Sequence, residues 1–148
     1  MNSRHDTGGF TLIELLVVLT IMAVLATMAV AYRPARLEAG VLKGAADRLA
    51  SDLRAARVKA ITTGRTEIVA IDLARPRYTS SAGANRKDFP ENVGVLVTLG
   101  DTKQRGPVVD IVFAADGSAS GGVVALTHAS REERVGIDWL TGRVTVTP

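Results

Sequence analysis

No cysteine occurs in the 148 residues. Thiol catalysis, zinc–thiolate sites and iron–sulfur clusters are thereby removed, and stability must come from the core, because no disulfide constrains the unfolded chain. Histidine is nearly as scarce, with two copies. His5 lies in the polar N-terminal stretch, and His128 in a stretch read as a solvated loop. A Ser–His–Asp unit would have to be built from His128, Ser130 and Asp138, and a sequence spacing of this kind does not supply the mutual hydrogen-bond geometry. Neither glycine pair, Gly8-Gly9 or Gly121-Gly122, sits in a strand–glycine–helix context with a following Lys-Ser/Thr, so neither makes a phosphate loop. Asp101, Asp110, Asp116 and Asp138 do not alternate like the ligands of a calcium loop, and Asp116-Gly117 reads better as a turn. The expectation is therefore a protein with no catalytic residue, no cofactor and no metal. The net charge of +3 is modest, and hints only weakly at acidic partners.

Charge is missing altogether from Leu15 to Tyr32. At ~1.5 Å of rise per residue, roughly 20 apolar residues cross a bilayer core. The run begins shortly after a polar leader, Met1 to Gly9. One residue departs from an ordinary anchor. Glu14 lies inside the apolar block, where a carboxylate costs about 2.5–3.5 kcal/mol even on lenient insertion scales. Such a group calls for a partner charge that the isolated chain does not provide.

The stretch Gly9-Phe10-Thr11-Leu12-Ile13-Glu14, followed by Leu-Leu-Val-Val-Leu, resembles the class III signal of type IV pilins and type II secretion pseudopilins. The resemblance implies that a prepilin peptidase cuts after Gly9 on the cytoplasmic side and that the new N-terminus, Phe10, is methylated. Glu14 matches the family's acidic residue. The order of the segments agrees with this. A secretory signal peptide has its small-residue cleavage site after the apolar region, whereas Gly8 and Gly9 precede it, so cleavage leaves the helix on the mature protein. It also frees an α-amine at Phe10, which in a helical assembly can face Glu14 of a neighbour. A buried ion pair of this type is better evidence for register than for stability. Loss of the leader removes Arg4 and Asp6 together, so the charge balance is unchanged. Arg33 and Arg36 flank the far end of the run and leave the charge rule for orientation uninformative.

Beyond Tyr32, Leu37, Val41, Ala45, Leu49, Leu53, Ala56, Ala60 and Ile61 recur at three-to-four spacing, one stripe of an amphipathic helix. Pro34 is placed to kink it. Gly40 and Gly44 weaken it by up to ~1 kcal/mol each. Thr63-Gly64 supplies the stop. The pattern predicts one helix from about Thr11 to Thr62. The period then changes to that of strands: residues 67–73, 77–80, 94–99, 108–113, 123–127, 134–139 and 143–147. Ser80 to Glu91, with Gly83, Asn85, four charges and Pro90, reads as a surface loop. The expected fold is α+β: a long N-terminal helix, transmembrane in its first half and amphipathic in its second, packed on a small antiparallel β-sandwich. Four segments follow: a cleaved leader at 1–9, a transmembrane and assembly helix at 10–32, an amphipathic periplasmic helix at 33–64 and a β-sandwich at 65–148. Arg54, Arg57, Lys59 and Arg65 form a basic cluster read as a solvated helix face, and Trp139, the one tryptophan, is read as core.

The second half carries a resemblance of its own. Phe113-Ala114-Ala115-Asp116-Gly117-Ser118-Ala119-Ser120-Gly121-Gly122 resembles the Phe-x-x-Asp-Gly-Ser-x-x-Gly-Gly stretch of the H-type minor pseudopilins (GspH) of type II secretion. Asp138-Trp139-Leu140-Thr141-Gly142-Arg143-Val144 resembles that family's C-terminal end, and Leu53 to Gly64 its helix end. This implies a structural subunit near the tip of a periplasmic pseudopilus. Its partners would be other minor and major pseudopilins, the prepilin peptidase and an inner-membrane assembly platform, and its role to assist export of folded proteins across the outer membrane. Glu14 argues against the K-type tip subunit, which typically lacks that acid. The same grouping contains FimT-like minor pilins, some of which serve DNA uptake through a basic Gly-Arg-x-Arg motif. Gly142-Arg143-Val144-Thr145 lacks the second arginine, which disfavours a nucleic-acid partner.

Overall fold

The computed structural model describes the backbone of residues 11–100 and 106–148, and the side chains of all of these but 30–39 and 84–85. Gly9, Phe10 and Asp101 lie outside them. One helix, α1 (Leu12–Thr63), precedes eight strands. These are β1 (Glu67–Asp72), β2 (Arg77–Ser80), β3 (Gly83–Asp88), β4 (Gly94–Thr98), β5 (Val108–Phe113), β6 (Gly122–His128), β7 (Arg131–Ile137) and β8 (Val144–Thr147). The helical assignment runs unbroken past Pro34. The chain divides into two compact units inside this helix, residues 1–37 and residues 38–148.

Within the second unit the strands form two antiparallel four-stranded sheets, ordered β3-β2-β1-β5 and β4-β6-β7-β8. Their register follows from period-two burial. On β1 the alternate residues Glu67, Val69 and Ile71 point inward, and they pair with Phe113, Ile111 and Val109 of β5, which are also buried. On the other sheet Val124 of β6 pairs with Val135 of β7, and Ile137 pairs with Val144 of β8. A one-residue slip would turn each of these sets to solvent, so the apolar pattern fixes the pairing.

The portion of α1 in this unit presents Leu42, Ala45, Ala46, Leu49, Ala50, Leu53, Ala56 and Ala60 to the same core as both sheets. The alanines let the helix backbone approach closely, while Leu42, Leu49 and Leu53 fill the space between. The stripe differs from the expected one at its margins. Val41 and Ile61 are about half exposed, and Leu42, Ala46 and Ala50 take the inward positions. Gly64 ends the helix in the left-handed region, at φ 64°, and the Arg65 N–H donates back to the Ala60 carbonyl at 3.2 Å, a Schellman-type closure.

One expectation is overturned. Residues 83–88 are an edge strand rather than a loop, paired with β2 through a bulge at Thr79/Ser80. An edge strand needs no apolar alternation, and Arg86, Lys87 and Asp88 are the kind of charges that protect an open edge from further pairing. Only the following residue, Phe89, turns into the core, where its ring lies 5.2 Å from that of Tyr78.

Candidate functional site

The head of α1 carries one half of a capping box, the bond to the Thr11 hydroxyl. Thr11 precedes the helix, and its hydroxyl accepts a hydrogen bond from the Glu14 N–H at 3.3 Å, while its carbonyl accepts from Glu14 and Leu15 at 3.1 and 3.2 Å. The spacing Thr-x-x-Glu is the signature of this motif and was legible in the sequence. Glu14 is thus held in the first helical turn, where a negative charge is favoured by the helix dipole. Its side chain is exposed, and among the described residues it enters no ion pair.

Behind it, the 18 residues Leu12–Ala29 are apolar enough to cross a membrane and none is buried within the chain. The two hydroxyls in this segment satisfy themselves: Thr20 donates to the Leu16 carbonyl and Thr27 to the Val24 carbonyl, each at 2.7 Å. Past its first turn, where Glu14 stands, no side-chain polar group of this segment then needs water, which is the condition for a helix in lipid or among other apolar helices. At ~1.5 Å per residue the segment measures about 27 Å, close to the ~30 Å of a bilayer core.

In the second unit the basic residues at the helix end are only in part the solvated face expected from the sequence: Arg54 and Arg65 are exposed, but three of the four bind backbone carbonyls. Arg54 Nη2 donates to the Val144 carbonyl at 3.0 Å, Arg57 Nε to the Gly117 carbonyl at 3.0 Å and Lys59 Nζ to the Ser81 carbonyl at 2.8 Å. These bonds tie the helix to both sheets. Lys59 also pairs at 3.2 Å with Glu67, the one buried charged side chain among the described residues. The Ser81 hydroxyl donates to the same carboxylate, and this bond, with Lys59, holds Glu67 below the ordinary carboxylate range. On the neighbouring face, Asp52 accepts from the Tyr78 hydroxyl at 2.6 Å and from Lys87 at 2.8 Å. Burial, and then the Asp52 charge, push the Tyr78 phenol far above its usual range, so it stays protonated and donating.

The two glycine-containing stretches of the second half meet at one corner. Gly117 and Gly142 both have positive φ, 85° and 61°, and a Cβ on Gly142 would come within 2.2 Å of the Gly117 carbonyl oxygen. The Ala119 N–H donates to the Trp139 carbonyl at 2.9 Å, and a Cβ on Gly121 would meet Trp139 at 2.8 Å. Asp116 and Asp138 are turn caps. Asp116 Oδ1 accepts from the Ser118 hydroxyl and N–H, and Asp138 Oδ1 from the Thr141 N–H and hydroxyl; those bonds lower both carboxyls. Asp110 lies exposed on β5. Trp139 is not core: it is 66% exposed, with its neighbour Leu140 at 63%. His128 is half-buried at the end of β6, with Nδ1 2.8 Å from the Asn92 carbonyl. The β6–β7 register, in which Gly122 faces Ile137 and His128 faces Arg131, places His128 and Asp138 at opposite ends of the ladder. Six strand residues separate them, about 20 Å at ~3.4 Å each, so they cannot share a hydrogen bond.

Comparison with known proteins fits both parts. The family model for the Prokaryotic N-terminal methylation motif matches residues 4–30, and that for Type II transport protein GspH matches residues 45–141. Type II secretion system protein H of Xanthomonas campestris pv. campestris is 30% identical over 146 residues, covering 98% of this chain and 86% of that one. Among solved structures, the minor pseudopilin EpsH of the Vibrio cholerae type 2 secretion system superposes with a TM-score of 0.59 at 15% identity, over 72% of this chain and 95% of that one. The type IV minor pilin FimU of Pseudomonas aeruginosa superposes with 0.56 at 16% identity, over 72% and 88%. The fold is thus common to both kinds of assembly. With the apolar helix headed by Glu14 and the glycine corner matched along its length, the chain belongs to the family of Type II transport protein GspH, the minor pseudopilins of type II secretion.

Proposed function

We propose that this minor pseudopilin is made as a single-pass precursor in the bacterial inner membrane and is incorporated near the tip of a periplasmic pseudopilus that assists export of folded proteins. In this reading residues 1–9 are a leader, prepilin peptidase cuts between Gly9 and Phe10, and Phe10 is N-methylated. Residues 10–32 span the membrane before assembly and lie among other pseudopilin helices after it. Residues 33–64 continue as a periplasmic helix, and the β-sandwich at 65–148 stands outside the helical core. The protein acts by assembly rather than by catalysis.

The observation that carries this reading is the apolar segment Leu12–Ala29, with no residue buried by its own chain and Glu14 in its first turn. Transfer from lipid to a bundle of similar helices exchanges one apolar environment for another, so it needs little driving force from the apolar residues. Glu14 then gains what it lacks in the isolated chain, the freed amine of Phe10 on an adjoining subunit. That pair sets the axial register of one subunit on the next.

The test is mass spectrometry of the protein from cells that carry the peptidase, together with fibre incorporation of Glu14→Ala. A mature chain beginning at methylated Phe10, and a Glu14→Ala chain that inserts in the membrane but fails to join the fibre, are expected. An intact Met1 leader, or normal incorporation and export by Glu14→Ala, overturns the reading. The likeness to FimU favours one rival, a minor type IV pilin engaged in pilus assembly or DNA uptake. A mobility-shift assay at two salt concentrations decides its nucleic-acid arm, because phosphate contacts weaken steeply with salt. No shift at low salt removes it.

A further inference from the structure

The turn from Asp138 to Arg143 is an exposed feature of the second unit held by its own hydrogen bonds. Asp138 N–H donates to the Arg143 carbonyl at 3.0 Å, Gly142 N–H to the Asp138 carbonyl at 2.9 Å, and the Asp138 carboxylate clamps Thr141 from inside. This frame projects two large apolar side chains, Trp139 and Leu140, into solvent. Core packing does not explain them, since core residues on the adjoining strands are buried without them. To one side of Trp139 lies a mainly apolar groove of about 770 Å³, floored by Gly121, Gly122 and Val123. On the other side of the turn a second groove, of about 590 Å³, is lined by Arg54, Arg57 and Arg143, with Val58 and Val144 between them.

The arginines come from distant parts of the chain. Arg54 and Arg57 each spend one nitrogen on a backbone carbonyl, which fixes the side chain and leaves further N–H groups to donate elsewhere. Among the described residues no carboxylate lines this second groove, whereas Asp138 lines the first. Asp116 is committed to Ser118, and Asp138, on which the Arg143 charge also acts, to Thr141. Trp and Arg, which this turn presents to its two grooves, are the residue types that dominate protein–protein binding energy.

We propose that this turn and its two grooves are a docking surface for an acidic, apolar segment of a partner protein. Its apolar side chains would lie against Trp139 and Leu140, and its carboxylates would take the free donors of Arg54, Arg57 and Arg143. A second copy of this chain does not fit, because a two-fold contact would set the three guanidiniums against themselves. A nucleic-acid strand fits less well, because three cations interrupted by valines do not track a run of phosphates. The proposal rests on residues 38–148 alone and does not depend on what Glu14 pairs with.

Trp139 is the sole tryptophan, so its emission reports the surface directly. The full chain in detergent is titrated at low ionic strength with the capped peptide Glu-Leu-Glu-Leu-Glu, its glutamine counterpart, and a single-stranded oligonucleotide. A saturable emission shift is expected with the acidic peptide, with binding about tenfold tighter than for the glutamine peptide, and about tenfold weaker again for Arg143→Gln. Leu140→Ser is expected to weaken it too, and both variants are expected to melt like the parent, since both side chains are exposed. Equal binding of the two peptides, tighter binding of the oligonucleotide, an unaffected Arg143→Gln chain, or no response to the acidic peptide overturns the proposal. None of these results bears on cleavage at Gly9 or on the Glu14 register pair.

Discussion

Leu16 and Leu53 are the same side chain in the same helix, yet Leu16 is 58% exposed and Leu53 is fully buried. Around Leu53 the helix is that of a soluble protein: one small and apolar side enters the core, and the other sides carry Asp52, Arg54 and Arg57, whose polar atoms bind the sheets. Around Leu16 it is apolar on every side, and its threonines turn their hydroxyls back onto the helix backbone. An amphipathic stripe specifies one partner surface, whereas an all-apolar cylinder specifies only a medium without water. The first unit is therefore built without a partner surface of its own, and the second is built to keep the neighbours it has.

The contrast is broken most easily by truncating the two leucines. Leu53→Ala is expected to cost about 2–5 kcal/mol, the lost transfer energy plus the cavity left in a closed core. Leu16→Ala is expected to move the melt of the β-sandwich by less than about 0.5 kcal/mol. Thermal melts of both chains in detergent check this. An equal destabilisation by the two would mean that the first segment also supports the sandwich. Glycine gives a second, smaller contrast. Gly142→Ala forces a Cβ against the Gly117 carbonyl at a left-handed position, at an expected cost of about 1–3 kcal/mol. Gly40→Ala meets nothing within 4 Å in a helix interior and is expected to stabilise by up to about 1 kcal/mol. Denaturant midpoints of the two variants should move in opposite directions.

The sequence was most legible where a single period ruled. The charge-free run from Leu15, the stripe through Leu49 and Leu53, the stop at Gly64 and the alternating strands around Val69, Ile111 and Val124 all followed from apolar spacing. It was least legible where polar atoms were settled by contacts distant in sequence. Arg54 and Arg57 read as solvated because their acceptors, the carbonyls of Val144 and Gly117, lie far along the chain. The strand at residues 83–88 carried the charges of an edge and so looked like a loop. Trp139 read as core because bulk apolar side chains usually are, and only the fold shows its turn facing out. At the head of the helix, the carboxylate at Glu14 was conspicuous by its cost, while the cap it makes with Thr11 went unread although the spacing was there.

The finest form of the contrast compares two glutamates. Glu67 is buried and has its partners, Ser81 and Lys59, within its own chain. Their bonds lower its carboxyl below the ordinary value of 4.5, so the folded state binds the proton less readily than the unfolded state. The resulting stability is fully present above that ordinary value and is lost as the pH falls below it, through the lowered folded value. Glu67→Gln keeps the shape and removes the titration. The parent chain should therefore lose stability more steeply than Glu67→Gln across this acid window, and the gap between them should close at the acid end. Glu14→Gln, in the other unit and with no partner charge among the described residues, should leave the stability of the sandwich as it is in the parent. Melts of the three chains in detergent at a series of pH values provide the check. If Glu14→Gln destabilised the sandwich as strongly as Glu67→Gln does, the head of the helix would have to support it, and the division of the helix between two units would fail.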